Sequence, residues 1–166
     1  QGWQRRDAPG AGAPQCESRG ADGHLGRQGH APCGQEREGV PLTDLVDLHS
    51  LPFPWLQSFA GEIEYSRTVE IEDPAAFHTL DAGLTHNGLT ELFVSGESAG
   101  VRWYGARTFD VGGMLRKGEN RITIRVTTVL TNYAKARAAD TPTAARWEWA
   151  QRLNKELGLR GPVTIY

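Results

Sequence analysis

Only two cysteines, one methionine and no long apolar run occur in these 166 residues. A helix needs roughly 20 consecutive apolar residues to cross a bilayer, and nothing here approaches that, so no membrane partner is expected. No charged-then-apolar leader opens the chain, which starts at Gln1 rather than Met, and the compartment is not readable from these residues. Net charge is small too. A net −2 and a pI near 6.2 provide no basic footprint for a polyanion, so nucleic acid is not an expected partner.

Large apolar residues are almost missing from the first stretch. Between Gln1 and Gly39 the chain is crowded with Gly, Arg, Ala, Pro and Gln, and Trp3 and Leu25 nearly stand alone as apolar anchors. Such a segment cannot bury enough surface to offset the entropy of ordering, which marks 1–41 as a disordered low-complexity tail. A non-native leader, or a mistranslated stretch of GC-rich DNA, would carry the same bias. Both cysteines sit there, with two histidines, as Cys16, His24, His30 and Cys33. Structural zinc sites bring ligands in close pairs, and the gap after Cys16 is far wider than that. A Cys16–Cys33 disulfide would suit an exported protein, and free thiols in a floppy tail are the plain alternative.

Apolar residues return between Leu42 and Leu56, broken by Pro52 and Pro54. The two prolines block regular helix and push each preceding residue to extended geometry, which predicts a strap laid over the domain and anchored by Phe53, Trp55 and Phe59. Those rings either plug the end of a sandwich or form a sugar-stacking platform.

Beyond Phe59 the period is that of strands. Ile63, Tyr65, Val69 and Ile71 fall on one face of an extended segment, and Glu62, Glu64, Thr68 and Glu70 on the other. Arg67 interrupts the apolar row, so it is expected near a strand end or against a carboxylate such as Asp81 or Asp110. Further strands are predicted near Phe77 to Leu80, Thr90 to Ser95, Arg107 to Val111, Arg121 to Leu130 and Val163 to Tyr166. Short strands with glycine punctuation point to an all-β antiparallel sandwich or jelly roll over 42–166. One inserted helix is expected over Thr143 to Leu157, with Thr141 as N-cap, Pro142 as first residue and Gly158 as stop. Ala145, Trp149, Leu153 and Leu157 would form its buried stripe, leaving Trp147 facing elsewhere.

Catalytic patterns are thin. Glycosidases need two carboxyl groups flanking the bond, about 5 to 9.5 Å apart according to stereochemistry. Glu62 and Glu64, two apart on one strand face, would stand roughly 6.5 Å apart. They would point the same way instead of bracketing a substrate, with nothing adjacent to raise one pKa. Ser95 and Ser98 lack the G-x-S-x-G elbow and a histidine relay. Gly96 to Gly100 lacks the Lys-Ser/Thr of a phosphate loop. His78, His86 and Asn87 on a loop could ligate a metal, but scattered loop histidines are usually solvated.

Three turn phrases frame the strand-rich part: Val94 to Gly100 leading to Trp103, Lys117-Gly118-Glu119-Asn120 opening Arg121 to Val126, and Gly158 to Val163. Their order resembles the galactose-binding-like β-sandwich domains of large glycoside hydrolases, especially the family 2 sugar-binding domain and the C-terminal domains of family 106 type rhamnosidases. Phe59-Ala60-Gly61 then Tyr65 is similar to the family's F-x-G-x-x-x-Y segment, and Leu80-Asp81-Ala82-Gly83 to its L-D-L-G strand. Glu91 to Gly96 is similar to its A-E-V-x-V-N-G hairpin, and Gly161-Pro162-Val163 to its G-L-x-G-P-V ending. Two positions depart from the pattern: Ser95 stands where Asn is usual, and Ala106 where a proline commonly follows the aromatic.

The resemblance implies carbohydrate and a hydrolase catalytic domain as partners, with no catalysis by this chain alone. It also implies an extracellular or periplasmic setting, and no cofactor beyond a structural calcium. Sugars are held by aromatic faces and planar polar side chains on loops at one end of such folds. Arg102, Trp103 and Tyr104, with Asn132, Tyr133, His86 and Asn87, supply that chemistry. The alternatives are a purely structural interaction module, in which Trp103 fills the core, and a small stand-alone hydrolase.

Overall fold

The computed structural model describes residues 15–19, 37–42, 44–85, 88–138 and 156–166. Among these residues there are nine strands: β1 (Gln15–Arg19), β2 (Arg37–Pro41), β3 (Glu62–Ile71), β4 (Thr79–Asp81), β5 (Gly88–Val94), β6 (Glu97–Arg102), β7 (Thr108–Asp110), β8 (Gly118–Thr128) and β9 (Thr164–Ile165). One short helix, α1 (Thr131–Ala138), follows β8. The strands form a six-stranded antiparallel sheet in the order β2-β1-β3-β8-β5-β6 and a three-stranded sheet in the order β7-β4-β9. The fold is an all-β sandwich.

Alternation decides which face of each strand is inside. Along β3, Ile63, Tyr65 and Ile71 are buried, and their register partners on β8 are Val126, Ile124 and Gly118. On β5, Thr90, Leu92 and Val94 continue the same inner face. Leu80, Phe109 and Ile165 of the small sheet join them, with Val111, Leu159 and Val163, in one core. Burying an apolar side chain of this size is worth about 1.5 to 3 kcal/mol, so this two-layer contact is the main source of stability.

Arg67 lies in the middle of β3 opposite Ile122, half-buried, and not at a strand end. The long strand expected over Arg121 to Leu130 runs from Gly118 to Thr128. Its start is fixed by Asn120, whose buried amide donates to Arg116 O (2.6 Å) and Gly118 O (3.0 Å) while its Oδ1 accepts from Arg116 N (2.9 Å). The strand expected from Phe77 is shortened to Thr79–Asp81, because Asp73 Oδ1 accepts from Ala75 N and closes a 3-10 turn over Pro74–Ala76.

The strap over Leu42 to Leu56 is ordered as two 3-10 turns, Leu48–Ser50 and Pro54–Ser58, with Leu42, Leu48 and Leu56 in the core. Asp47 stitches it to the chain's last segment: its Oδ1 accepts from His49 N (3.0 Å) and Leu157 N (2.8 Å). Leu48 N donates to Leu157 O at 3.1 Å. Phe53, Trp55 and Phe59 are half-buried against the core, with Trp55 meeting Phe59 edge-on at 5.8 Å and 71°. That is the arrangement of a plug.

Two strands of the large sheet come from the stretch whose composition argued against order. β1 pairs with the outer edge of β3, from Gln15 opposite Ser66 to Arg19 opposite Glu62, and β2 pairs with β1. Strand addition uses backbone donors and acceptors, so it does not need the apolar side chains that this segment lacks. Of the cysteine and histidine set, Cys16 lies on β1, while His24, His30 and Cys33 fall outside the described residues. The helix expected over Thr143 to Leu157, with Trp147 and Trp149, also lies outside them, save for Leu157 itself, which is buried.

Candidate functional site at one end of the sandwich

Strand directions bring several connections to a single end of the large sheet. β5 begins at Gly88, opposite Thr128 near the end of β8, and β6 ends at Arg102 opposite Thr90. The segment after β6, the segment before β5 and the residues after β8 therefore emerge together. Trp103 and Tyr104, directly after β6, are 78% and 83% exposed, with ring centroids 6.3 Å apart and tilted by 52°. They do not fill the core.

Two arginines hold this aromatic loop in place. Arg107 donates from Nη1 to Gly105 O (3.2 Å) and from Nη2 to Trp103 O (3.2 Å) and Gly88 O (3.1 Å), tying the loop to the start of β5. Gly105, at φ 71, makes the left-handed turn that sends the chain back toward β7. Arg102 donates from Nε to Thr108 O and from Nη1 to Val101 O, both at 3.0 Å, and its guanidinium lies 5.1 Å over the buried Phe109 ring. Arg102 thus ties the end of β6 to the start of β7. Arg107 was not singled out from the sequence, where an arginine before a short strand carries no distinguishing signal.

The remaining sequence candidates are placed unevenly. Asn132 sits in the first turn of α1 and is only 7% exposed, and Tyr133 beside it is 36% exposed. α1 packs against the 3-10 turn Pro54–Ser58, and β5 separates β8 from β6, so about 10 Å of sheet lies between the ends of these two strands. His86 and Asn87 lie outside the described residues. Leu84, ahead of β5, is 65% exposed, and Leu130, beyond β8, is 69% exposed.

Carboxylates are engaged elsewhere. Glu64, Arg125 and Glu91 stand side by side across β3, β8 and β5, with Arg125 Nη2 3.4 Å from Glu64 Oε2 and Nη1 3.6 Å from Glu91 Oε2. Arg125 also covers the Phe93 ring at 4.8 Å. Glu64 is thus a member of an ion-pair ladder on the outer sheet face, not half of a pair bracketing a substrate.

Asp73, and Asp81 and Asp110 at the ends of β4 and β7, each accept a backbone N–H two residues on. Among the described residues no three His, Cys, Asp or Glu side chains gather to hold a metal ion. No helix among them is long and apolar enough to cross a membrane.

No protein-family model matches the chain, and no curated protein does either. Among solved structures, a rhamnosidase from Novosphingobium sp. PP1Y aligns with 93% of this chain at a TM-score of 0.66 and 24% identity. An FMN-binding β-glucuronidase from Faecalibacterium prausnitzii L2-6 aligns with 92% of it at a TM-score of 0.53 and 17% identity. The chain spans 14% of the first and 20% of the second. What is shared at these identities is the fold: this sandwich recurs as one part of much longer glycoside hydrolases.

Proposed function

We propose that this chain is a noncatalytic accessory sandwich of a glycoside hydrolase, or a module derived from one, and that its Trp103 and Tyr104 end holds carbohydrate. The supporting observation is the exposure of both rings, 78% and 83%, on a loop fixed by Arg107. A rigid aromatic face beside fixed polar groups suits the C–H surface and hydroxyls of a pyranose.

Affinity should be weak. One or two stacked rings and a few hydrogen bonds leave about 4 to 8 kcal/mol after ordering costs, or millimolar to micromolar Kd. Titration of the labelled protein with galactose-, rhamnose- and glucose-containing oligosaccharides, followed by amide NMR, tests this. Trp103→Ala should abolish the response and leave the spectrum otherwise folded.

A second reading has the same end buttressing a catalytic domain without gripping sugar, and the exposed Leu84 and Leu130 favour it. Silence across the sugar panel would select that reading.

A further inference from the structure

Arg102 and Arg107 flank the exposed aromatic pair, and each hydrogen bond of their guanidinium groups goes to a backbone carbonyl. Among the described residues neither meets a carboxylate. The contrast within the same fold is Arg125, which stands between Glu64 and Glu91. The acids on neighbouring elements are directed elsewhere: Asp81 Oδ1 accepts from Gly83 N (2.8 Å), Asp110 Oδ1 from Gly112 N (2.9 Å), and Glu91 meets Arg125. Carbonyl oxygens orient a guanidinium but do not cancel its charge. Arg107 Nη2 already donates to both Gly88 O and Trp103 O and its partnerless Nε is buried, so Arg107 contributes fixed charge, whereas among the described residues Arg102 Nη2 donates to nothing and leaves that guanidinium edge open. Two fixed positive charges beside a stacking platform form a receptor for a ring that carries an oxyanion.

We propose that the sugar taken at this end is acidic, a uronate whose carboxylate faces Arg102 and Arg107 while its ring lies on Trp103 or Tyr104. The proposal rests on the carbohydrate reading above and deepens it. Fixed guanidinium groups favour carboxylate because the planar fork matches its two oxygens, whereas a neutral hydroxymethyl at the same ring position gains one uncharged hydrogen bond at most.

The test compares three ligands of equal length on the intact chain by amide NMR titration: an oligogalacturonide, a neutral galacto-oligosaccharide and a sulfated galacto-oligosaccharide. The expected result is a Kd for the oligogalacturonide about fivefold or more below the neutral sugar's, corresponding to two partly exposed charge contacts. That gap should shrink when salt rises from about 0.05 to 0.5 M, because exposed contacts are screened. Arg102→Gln should reduce the preference about threefold, and Arg102→Lys, which keeps charge but loses the planar fork, should weaken it less than Arg102→Gln.

Equal affinity for the acidic and neutral sugars at low salt would overturn the proposal and leave the carbohydrate reading standing. A sulfated sugar bound more tightly than the uronate would overturn the carboxylate assignment. No response to any of the three would remove the carbohydrate reading and this proposal with it. The salt dependence of the unmodified chain reads the charge contribution even if an arginine variant fails to fold.

Discussion

Gly158 holds its backbone at φ 89, and a Cβ there would collide with the Tyr65 hydroxyl that accepts Leu159 N at 3.1 Å. Gly158→Ala should therefore add left-handed strain and displace a buried hydrogen bond, costing about 2 to 4 kcal/mol in urea unfolding. Ser95 makes the opposite case. It sits at φ 50 beside Gly96 at φ 89 in the β5–β6 hairpin, a pair of left-handed residues of the kind that favours Asn-Gly. Ser95→Asn should raise stability by a few tenths to about 1 kcal/mol, and a loss instead would mean that the turn is not of this type. This departure from the related hairpins was visible in the sequence. Its physical meaning needed the dihedral angles.

At the scale of elements, β8 is paired on both sides over nearly its whole length, by β3 and by β5. Its inner amides should exchange with solvent only at the global unfolding rate, while those of the edge strand β6 should exchange faster in hydrogen-exchange mass spectrometry. The ladder on the outer face contributes less. A Glu62→Gln, Glu64→Gln double variant should keep the fold and cost under about 1 kcal/mol, since side chains of this exposure form weak pairs.

The alternation of Ile63 and Tyr65 with Glu62 and Glu64 made β3 legible, because a half-buried strand writes both faces into its period. α1 was not legible: Thr131–Ala138 has no apolar repeat at helical spacing, and the segment lies against a neighbouring turn. β1 and β2 were equally silent, since their observed contribution is backbone pairing with a strand edge.

For the whole molecule, we propose a domain boundary near Leu42, with β1 and β2 an edge added to the large sheet from the segment ahead of it. Limited proteolysis should cut ahead of it first, and protection of 15–41 equal to that of β3 would extend the domain through β1 and β2. Trp103 and Tyr104 were legible as candidates because aromatic and polar residues following a hairpin have few core positions to fill. Asn132 was less so, for its burial on α1 depends on a helix that the local pattern does not announce. Arg107 was missed because its role is set by carbonyls distant in the chain, at Gly88 and Trp103.

The central claim is that this end of the sandwich holds sugar, and the most direct measurement is an amide chemical-shift map of the intact chain with and without the oligosaccharide panel. Shifts confined to Leu84, to 102–107 and to the residues after β8, and lost in Trp103→Ala with the remaining spectrum unchanged, are predicted. Saturable shifts centred instead on Phe53, Trp55 and Phe59, or on the outer face around Arg125, would contradict it.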